Sequence, residues 1–290
     1  MVKSVREWAS AAPIDNIEFR KAIHITLMAI SICEELSESM VMKGGMLMGI
    51  RYESSRHTTD IDFSTKRMIK EVDIPEFKEN LNDRLLEARA ELLYEVECKV
   101  QSVKIQPNKE ATFPSLKVKI GYASTSNINQ LKRLKSGSSP QTISIDYSFN
   151  EETGSVDELY IDGSEKINVY SLASLISEKY RSVLQQPKRK RNRRQDIYDL
   201  YYLITNYTNN SLDEKTEVLE LLFKKSEGKG IDEYLIPTAL NNKKIREMSE
   251  ENYHLIADEI EGILPEFKVS YLIVKKYYES LPWKYHLCSF

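Results

Sequence analysis

The stretch from Met42 to Phe63 (MKGGMLMGIRYESSRHTTDIDF) constrains this 290-residue chain more than any other. An apolar, strand-like approach breaks at Gly44-Gly45, an apolar helical run follows, and a polar connector leads to Asp60-Ile61-Asp62. Alternate side chains of a β-strand share a face, so Asp60 and Asp62 are predicted to point the same way while Ile61 and Phe63 enter the core. The pattern predicts a strand, a turn, a helix and a second strand that presents two carboxylates.

Both halves of this stretch suit a nucleotide. Magnesium takes oxygen ligands and is often held between one or two carboxylates and the phosphates of a substrate. Glycine lets the backbone approach a ligand closely, and the N-terminus of the following helix presents free N–H groups to an anion. An Asp-x-Asp alone is more often a surface pair, and a Gly-Gly alone is usually a turn. Their order and spacing favour a phosphate cradle beside a metal pair.

The composition is that of an ordinary soluble protein. With 41% hydrophobic residues, 29% charged residues and a net charge of −3, the chain can form a core, and any nucleic-acid site must be a local patch. Cys33, Cys98 and Cys288 form no CxxC pair and the four histidines do not cluster, which argues against disulfides and zinc. No apolar run could span a bilayer and the N-terminus lacks a secretory apolar core, so we expect a cytoplasmic protein.

The first half of the chain predicts a mixture of helices and strands. Apolar spacing predicts helices over 17–37, where His24 is expected to be a packed rather than a catalytic histidine, and over 75–96. Alternation predicts strands over 100–105, 116–120 and 142–149, with a polar loop over 123–141. On the last strand Asp146 shares a polar face and is a candidate to complete a metal site; the alternative is an aspartate on a surface strand.

The second half predicts helices alone. From Val169 onward the pattern is helical, with helices expected after Ser171, from Asp196, and over about 213–226, 243–263 and 266–280. We therefore expect an α+β protein with a mixed α/β domain over 1–165 and a helical domain over 166–290.

Taken in order, several of these residues resemble a known family. Lys43-Gly44-Gly45, Thr58-x-Asp60-Ile61-Asp62, the strand aspartate, Lys179 and the segment 194–200 (RQDIYDL) are similar to motifs of the AbiEii/AbiGii toxins. These are nucleotidyltransferase-like proteins of the DNA-polymerase-β superfamily, found in bacterial abortive-infection, or phage-defence, and toxin–antitoxin systems. The resemblance covers about residues 40–205. It implies an N-terminal polymerase-β-type nucleotidyltransferase domain with a mixed sheet, followed by a helical domain that completes the site.

The resemblance also implies roles for individual residues. Magnesium, or manganese in its place, would be bound by Asp60, Asp62 and Asp146, and the last of these would be the general base. Lys179 and Asp196 would complete the catalytic set, with Asp199 as a neighbour of the late motif. The NTP would be contacted by Lys43, Gly44, Gly45, Thr58, Lys179 and Arg181.

Two departures from the family pattern are visible. Met46 stands where the superfamily normally has a serine or threonine after glycine, and Thr58-Thr59 replaces a Ser-Arg pair.

A basic run follows the helix that carries Lys179. It has six basic residues in the seven positions 188–194, and functionally it would contact the phosphate backbone of an RNA acceptor. The alternative is a solvated loop without a fixed partner. The run comprises Lys188, Arg189, Lys190, Arg191, Arg193 and Arg194.

We therefore expect a magnesium-dependent nucleotidyltransferase toxin that transfers NMP from NTP to RNA, with the 3′ end of tRNA as the expected acceptor and a cognate antitoxin as a partner. One alternative is a small-molecule nucleotidyltransferase of the antibiotic-modifying kind, which would not need the basic run. Another is a non-catalytic nucleotide-binding interaction module, for which the missing hydroxyl after Gly45 leaves room.

Overall fold

In the computed structural model, which describes residues 4–284, the chain forms two units. The sheet unit comprises the chain up to Glu53 together with Thr58–Val169. The helical unit comprises Ser54–His57 and the chain from Tyr170 onward. The predicted boundary at residue 165 coincides with the first residue of the last strand. The four-residue connector 54–57 belongs to the helical unit, although the sequence on both sides of it belongs to the sheet unit.

Seven strands form one mixed sheet in the order β3-β4-β5-β2-β1-β7-β6. The pairings β1–β2, β3–β4 and β4–β5 are antiparallel, whereas β2–β5 and β1–β7 are parallel, so the expected mixed sheet is confirmed. The strands are β1 (Val41–Lys43), β2 (Asp60–Ser64), β3 (Val96–Gln106), β4 (Ser115–Ser124), β5 (Thr142–Ser148), β6 (Val156–Asp162) and β7 (Glu165–Tyr170).

Six helices accompany the sheet among the described residues. They are α1 (Val5–Ser10), α2 (Ile17–Ser31), α3 (Glu34–Ser39), α4 (Gly44–Arg51), α5 (Ile74–Leu92) and α6 (Ile128–Lys135). A 3-10 turn precedes α2 at Ile14–Asn16, and another precedes α5 at Ile69–Glu71. Asp73 caps α5 by accepting the N–H of Glu76, with Pro75 in the first turn, where its missing N–H costs nothing.

The two faces of the sheet differ in polarity. On β2 and β5 the side chains of Ile61, Phe63, Ile143 and Ile145 are fully buried, whereas the aspartates between them remain accessible. Helix α2, which is buried continuously from Ala22 to Ile30, packs against α5 and against β3, β4 and β5. The helices therefore cover the apolar face of these strands, and we call the opposite, polar side of β2, β5, β4 and β3 the open face.

The helical unit contains α7 (Leu172–Leu184), α8 (Gln186–Arg189), α9 (Arg194–Asn206), α10 (Leu212–Ser226), α11 (Lys243–Glu250) and α12 (Phe267–Glu279). Three 3-10 segments lie at Asp232–Tyr234, Ala239–Asn241 and Tyr253–Glu259. Helix α7 packs against α9 and α10, and α12 packs against α9. The buried aromatic residues of the helical unit also bond to its backbone, since the Tyr180 hydroxyl donates to the Val274 carbonyl at 2.8 Å. This bond fixes α7 against α12.

Several local predictions were wrong. Residues Val5–Ser10, where no helix was predicted, form α1, and the predicted loop 123–141 contains α6. Strands β6 and β7 lie in a stretch where no strand was predicted. The helix expected over 17–37 divides near Cys33, and the one expected over 243–263 ends at Glu250 and resumes as a 3-10 segment.

Two expectations from composition bear on the described residues. Cys33 and Cys98 are free and buried, while Cys288 lies outside the residues that the structure describes. No helix within residues 4–284 is long and apolar enough to cross a membrane.

Candidate active site

The predicted glycine turn lies directly against the Asp62 carboxylate. Gly44 begins α4 immediately after β1 and has a φ of +78°, a conformation that L side chains rarely adopt. A Cβ built on Gly44 would lie 2.1 Å from Oδ2 and 2.8 Å from Cγ of Asp62. Position 44 therefore requires glycine for two reasons, one conformational and one steric.

The sheet register brings the third carboxylate beside the first two. Along the parallel pair β2–β5, Asp60 pairs with Ser144 and Asp62 pairs with Asp146. Paired residues of neighbouring strands share a face about 4.8 Å apart. Asp60 is exposed, and Asp62 and Asp146 are half-buried, so all three side chains lie on the open face.

These carboxylates suit a cation that also binds a substrate. Among residues 4–284, no three or more His, Cys, Asp or Glu side chains are grouped so that they could hold a metal ion by themselves. The oxygen donors of Asp62 and Asp146 nevertheless match the hard ligands that Mg²⁺ prefers, and Mg²⁺ usually completes its coordination with substrate phosphates and water. Lys117 places a positive charge beside Asp146, with its Nζ 3.4 Å from Oδ2.

The other predicted nucleotide contacts of the sheet unit surround the turn. Lys43 is buried, and its ammonium forms an ion pair with Glu151, a residue that sequence reasoning missed because 108 positions separate the two. Gly45 is buried and Thr58 is half-buried. Met46 is 2% exposed, so the residue in the superfamily's hydroxyl position contributes to the core instead.

A second cluster of charges lies within the helical unit, and we call it the charge cluster. Nζ of Lys179 on α7 lies 2.6 Å from Oδ2 of Asp199 and 3.4 Å from Oδ1 of Asp196, both on α9. Arg56 of the connector donates to both oxygens of Asp199, at 2.9 and 3.0 Å. Glu259 borders the cluster, 3.9 Å from Arg56. The structure thus places Lys179 and Asp196, two members of the predicted catalytic set, in one cluster with Arg56.

The charges of this cluster are mutually stabilised. Burial opposes ionisation of Asp199, but Arg56 and Lys179 together hold its pKa below the ordinary value. Burial likewise opposes the charge of Lys179, yet the two aspartates raise its pKa. Lys179 and Asp199 are therefore an ionised, buried pair. One oxygen of the cluster, Oδ2 of Asp196, is buried without a hydrogen bond to any described residue.

Several of the remaining predicted cationic side chains, Arg181 and members of the basic run, form hydrogen bonds or ion pairs with other residues of the helical unit. Arg181 is buried, donating to Glu178 and, at 2.7 Å, to Gln185. Lys188 donates to the Gly230 carbonyl at 3.2 Å, and Arg194 pairs with Glu259 at 2.8 Å. Arg193 lies 3.9 Å from Asp196, and the exposed members of the basic run are Lys188, Arg189, Lys190 and Arg191.

Solved structures of known proteins share this fold. A crystal structure of JHP933 from Helicobacter pylori aligns with a TM-score of 0.50 and 14% identity, covering 96% of this chain and 97% of that one. A second H. pylori crystal structure, of a protein named as a candidate nucleotidyltransferase, aligns with the same score and identity over 96% of this chain and 100% of that one. At this identity the likeness concerns the fold.

No significant match was found among curated protein sequences. Comparison with protein families gives a match over residues 26–282, to the nucleotidyl transferase AbiEii toxin of type IV toxin–antitoxin systems. This range includes the glycine turn, the three strand aspartates and the charge cluster. It confirms the family that the order of motifs indicated. The chain belongs to the AbiEii nucleotidyltransferase toxin family.

Proposed function

We propose that this protein transfers a nucleoside monophosphate from an NTP to an RNA acceptor in a Mg²⁺-dependent reaction, with the 3′ end of tRNA as the acceptor. The observation that carries the proposal is the register of β2 and β5, which pairs Asp62 with Asp146 beside the Gly44 turn. A polymerase-type transfer needs carboxylates near both the triphosphate and the attacking hydroxyl, and this register supplies them on one open face.

In the proposed reaction the acceptor hydroxyl attacks the α-phosphorus, a new P–O bond forms, and the bond to the β-phosphate breaks to release pyrophosphate. Asp146 accepts the hydroxyl proton, while Asp60 and Asp62 would hold the metal ion that binds the triphosphate. When bound, Mg²⁺, or Mn²⁺ in its place, would offset the charge of the attacking and leaving oxygens. The N-terminus of α4 at Gly44 and Gly45 would offer N–H groups to the phosphates.

The cationic contacts are further parts of the proposal. Lys43 and Thr58 flank the turn and the Asp-x-Asp strand, and Lys179 and Arg181 would offset charge on the leaving phosphates. Asp196 holds the Lys179 ammonium at 3.4 Å and Asp199 holds it at 2.6 Å. Both contacts favour the charged form of Lys179, which is the form that would offset phosphate charge.

The direct test is incubation of the protein with Mg²⁺, total RNA and each of the four labelled NTPs in turn. We expect one or more labels to enter RNA, and Asp62→Asn to reduce transfer at least about 100-fold, since the carboxylate contributes several kcal/mol through the metal. Asp83→Asn is the matched control, because it makes the same chemical change at an exposed position of α5.

The outcomes separate clearly. Transfer that is absent in the wild type, or equal in wild type and Asp62→Asn, contradicts the proposal. Transfer that survives in Asp83→Asn but not in Asp62→Asn, with equal circular dichroism spectra, supports it. If labelled tRNA is cleaved near its 3′ end, label on the short 3′ fragment identifies that end as the acceptor. Label in an RNA other than tRNA would support nucleotidyl transfer and contradict tRNA as the acceptor.

The type IV family implies an antitoxin partner. We propose that catalysis causes the toxicity which this antitoxin counteracts. Induced expression of the wild type in bacteria should then arrest growth, whereas Asp62→Asn at equal protein level should not. Equal arrest by both would separate toxicity from nucleotidyl transfer.

A further inference from the structure

One segment of the sheet unit has a charge opposite to that of the whole chain. Residues 98–141, which include most of β3 and all of β4 and α6, contain eight lysine or arginine residues and one acidic residue, Glu110. The complete chain has a net charge of −3. The basic character of this segment is therefore a local property, and the remainder of the protein is acidic.

The sheet register places lysines of this segment in a row that starts at Asp146. Lys117 of β4 pairs with Asp146, and Lys104 of β3 pairs with Lys117. Lys119 pairs with Ser144, the neighbour of Asp146 on the same face. With strands about 4.8 Å apart, the row extends about 10 Å from the strand of Asp146. We call Lys104, Lys117 and Lys119 the lysine row.

The lysine row faces solvent, and the residues between its lysines on β4 pack in the core. All three lysines are exposed, while the intervening Leu116 and Val118 are fully buried on the helix-covered face. A sheet with one buried face fixes which face each side chain takes, since a shift of one residue would bury the lysines. The row is therefore a fixed feature of the open face.

Helix α6 extends the positive surface. Its Leu134 is buried, while Lys132, Arg133 and Lys135 are exposed. Nζ of Lys99 on β3 donates to the Lys135 carbonyl at 2.8 Å, which fastens the end of α6 to the sheet. Neither β4 nor α6 contains an acidic residue.

We propose that the lysine row and α6 bind the phosphate backbone of the RNA acceptor and lead its 3′ end to Asp146. This inference rests on the proposed function, because it takes Asp146 as the group that meets the acceptor hydroxyl. Regularly spaced cations on a polar surface suit a polyanion, whose phosphates supply most of the affinity. A protein partner would need an apolar centre, whereas no large hydrophobic residue between Lys99 and Lys119 is exposed and α6 exposes one such residue, Ile128, at its first position.

The inference differs from the sequence-based expectation, which located RNA binding in the basic run 188–194. In that run Lys188 and Arg194 already bind other groups of the helical unit. Within the lysine row, Lys117 pairs with Asp146. The row is therefore best tested through Lys104 and Lys119, which leaves the partner of Asp146 unchanged.

The experiment measures binding of a fluorescent single-stranded RNA by anisotropy over a salt series, without NTP or metal. Lys104→Gln/Lys119→Gln should lower affinity on the order of tenfold at low salt and reduce the slope of log K against log salt by about 1.4, or 0.7 for each lost contact. The matched control is Lys70→Gln/Lys78→Gln, which removes two exposed lysines from elements that line a cavity with Tyr147, on the face opposite to Asp146. A comparison variant, Lys190→Gln/Arg191→Gln, tests the basic run.

The inference is supported if the row variant loses affinity and has a smaller slope of log K against log salt, while the control variant keeps both. Equal binding by the row variant and the wild type overturns it, whether or not the basic-run variant binds. The assay needs no turnover, so row-dependent binding without nucleotidyl transfer would reject the proposed function and retain an RNA surface. Transfer by the wild type with an unchanged KM for RNA in the row variant would reject the surface and retain the function.

Discussion

At the residue scale, the contact between Gly44 and Asp62 joins the glycine turn at the start of α4 to strand β2. The carboxylate occupies the volume that a side chain at position 44 would fill. Sequence reasoning assigned Gly44 a role in approach to a ligand, and the structure shows that Asp62 itself approaches the backbone there. Gly44 was predicted to leave space for the substrate. It also leaves space for the carboxylate of Asp62, which binds the metal in the proposed reaction.

Substitution of Gly44 tests this contact through stability. Gly44→Ala should destabilise the protein by about 1–2 kcal/mol through its positive φ and by about 1–3 kcal/mol more through the clash with Asp62. Gly137→Ala is the matched control, because Gly137 has the same φ of +78° and an added Cβ there would meet nothing within 4 Å. Urea unfolding of Gly44→Ala, of Asp62→Ala and of the double variant gives the coupling free energy, with Gly137→Ala measured beside them. Additive effects of the two substitutions would contradict the contact.

His24 should make stability depend on pH. The pKa of His24 is lowered to about 4, mainly by burial. Asp162 acts in the opposite direction, and Arg6 adds to the lowering. The unfolded state, with a pKa near 6.5, binds a proton first as pH falls, so the native state loses roughly 3 kcal/mol between pH 6.5 and 4. Urea unfolding at pH 7, 5.5 and 4.5 should show a shallower loss for His24→Gln than for the wild type. Parallel curves would show that another group causes the pH dependence.

At the element scale, the strands that carry the carboxylates were the most predictable part of the fold. The alternation of β2 and β5 identified both the buried and the open face, because one face is apolar at every second position. What the alternation could not supply was the neighbour of each strand. The parallel pairing of β2 with β5 joins residues more than 80 positions apart, and no local signal specifies it.

The elements that prediction missed are short or lack a clear period. Strands β6 and β7 are neighbours in the sheet joined by a turn at Gly163, and their charged, exposed positions hide the pattern. Helix α6 has only Leu134 fully buried, so its apolar stripe is too narrow to stand out. The role of the connector Ser54–His57 was not predicted, since the bond from Arg56 to Asp199 spans 143 positions.

The charge cluster between α7 and α9 is predicted to stabilise the helical unit. Asp199→Asn leaves Arg56 and Lys179 buried without their shared anion and should cost about 3–5 kcal/mol. Because the pKa of Asp199 is lowered on folding, its contribution is present above about pH 4 and is lost as pH falls through the folded-state pKa. The difference from wild type in urea unfolding should therefore be constant from pH 5 to 8 and shrink in stronger acid. Glu220→Gln, an exposed change on α10, should show no difference at any pH.

At the scale of the whole molecule, an acidic protein whose basic residues cluster in a few segments should be selective in where it meets a polyanion. The sequence pI of about 6.0 gives no reason to expect nucleic-acid binding, and the net charge disfavours it over most of the surface. The basic segment 98–141 was visible in the sequence, but its alignment with Asp146 depends on strand pairing, which only the structure supplies.

Ligand binding should raise the stability of the whole protein, and removal of the metal with EDTA tests its part in binding. A non-hydrolysable NTP with Mg²⁺ at about 100 times its Kd should stabilise the native state by about 2.7 kcal/mol. For a chain of 290 residues that corresponds to an increase in Tm of roughly 4–5 °C. Differential scanning fluorimetry should show this increase for the wild type and for Asp83→Asn, a much smaller one with NTP and EDTA, and none for Asp62→Asn with both ligands. Because Asp62 provides the metal contact in the proposed site, an equal increase in EDTA would mean that the nucleotide binds through the backbone and the cations alone, and magnesium would then have no part in holding it.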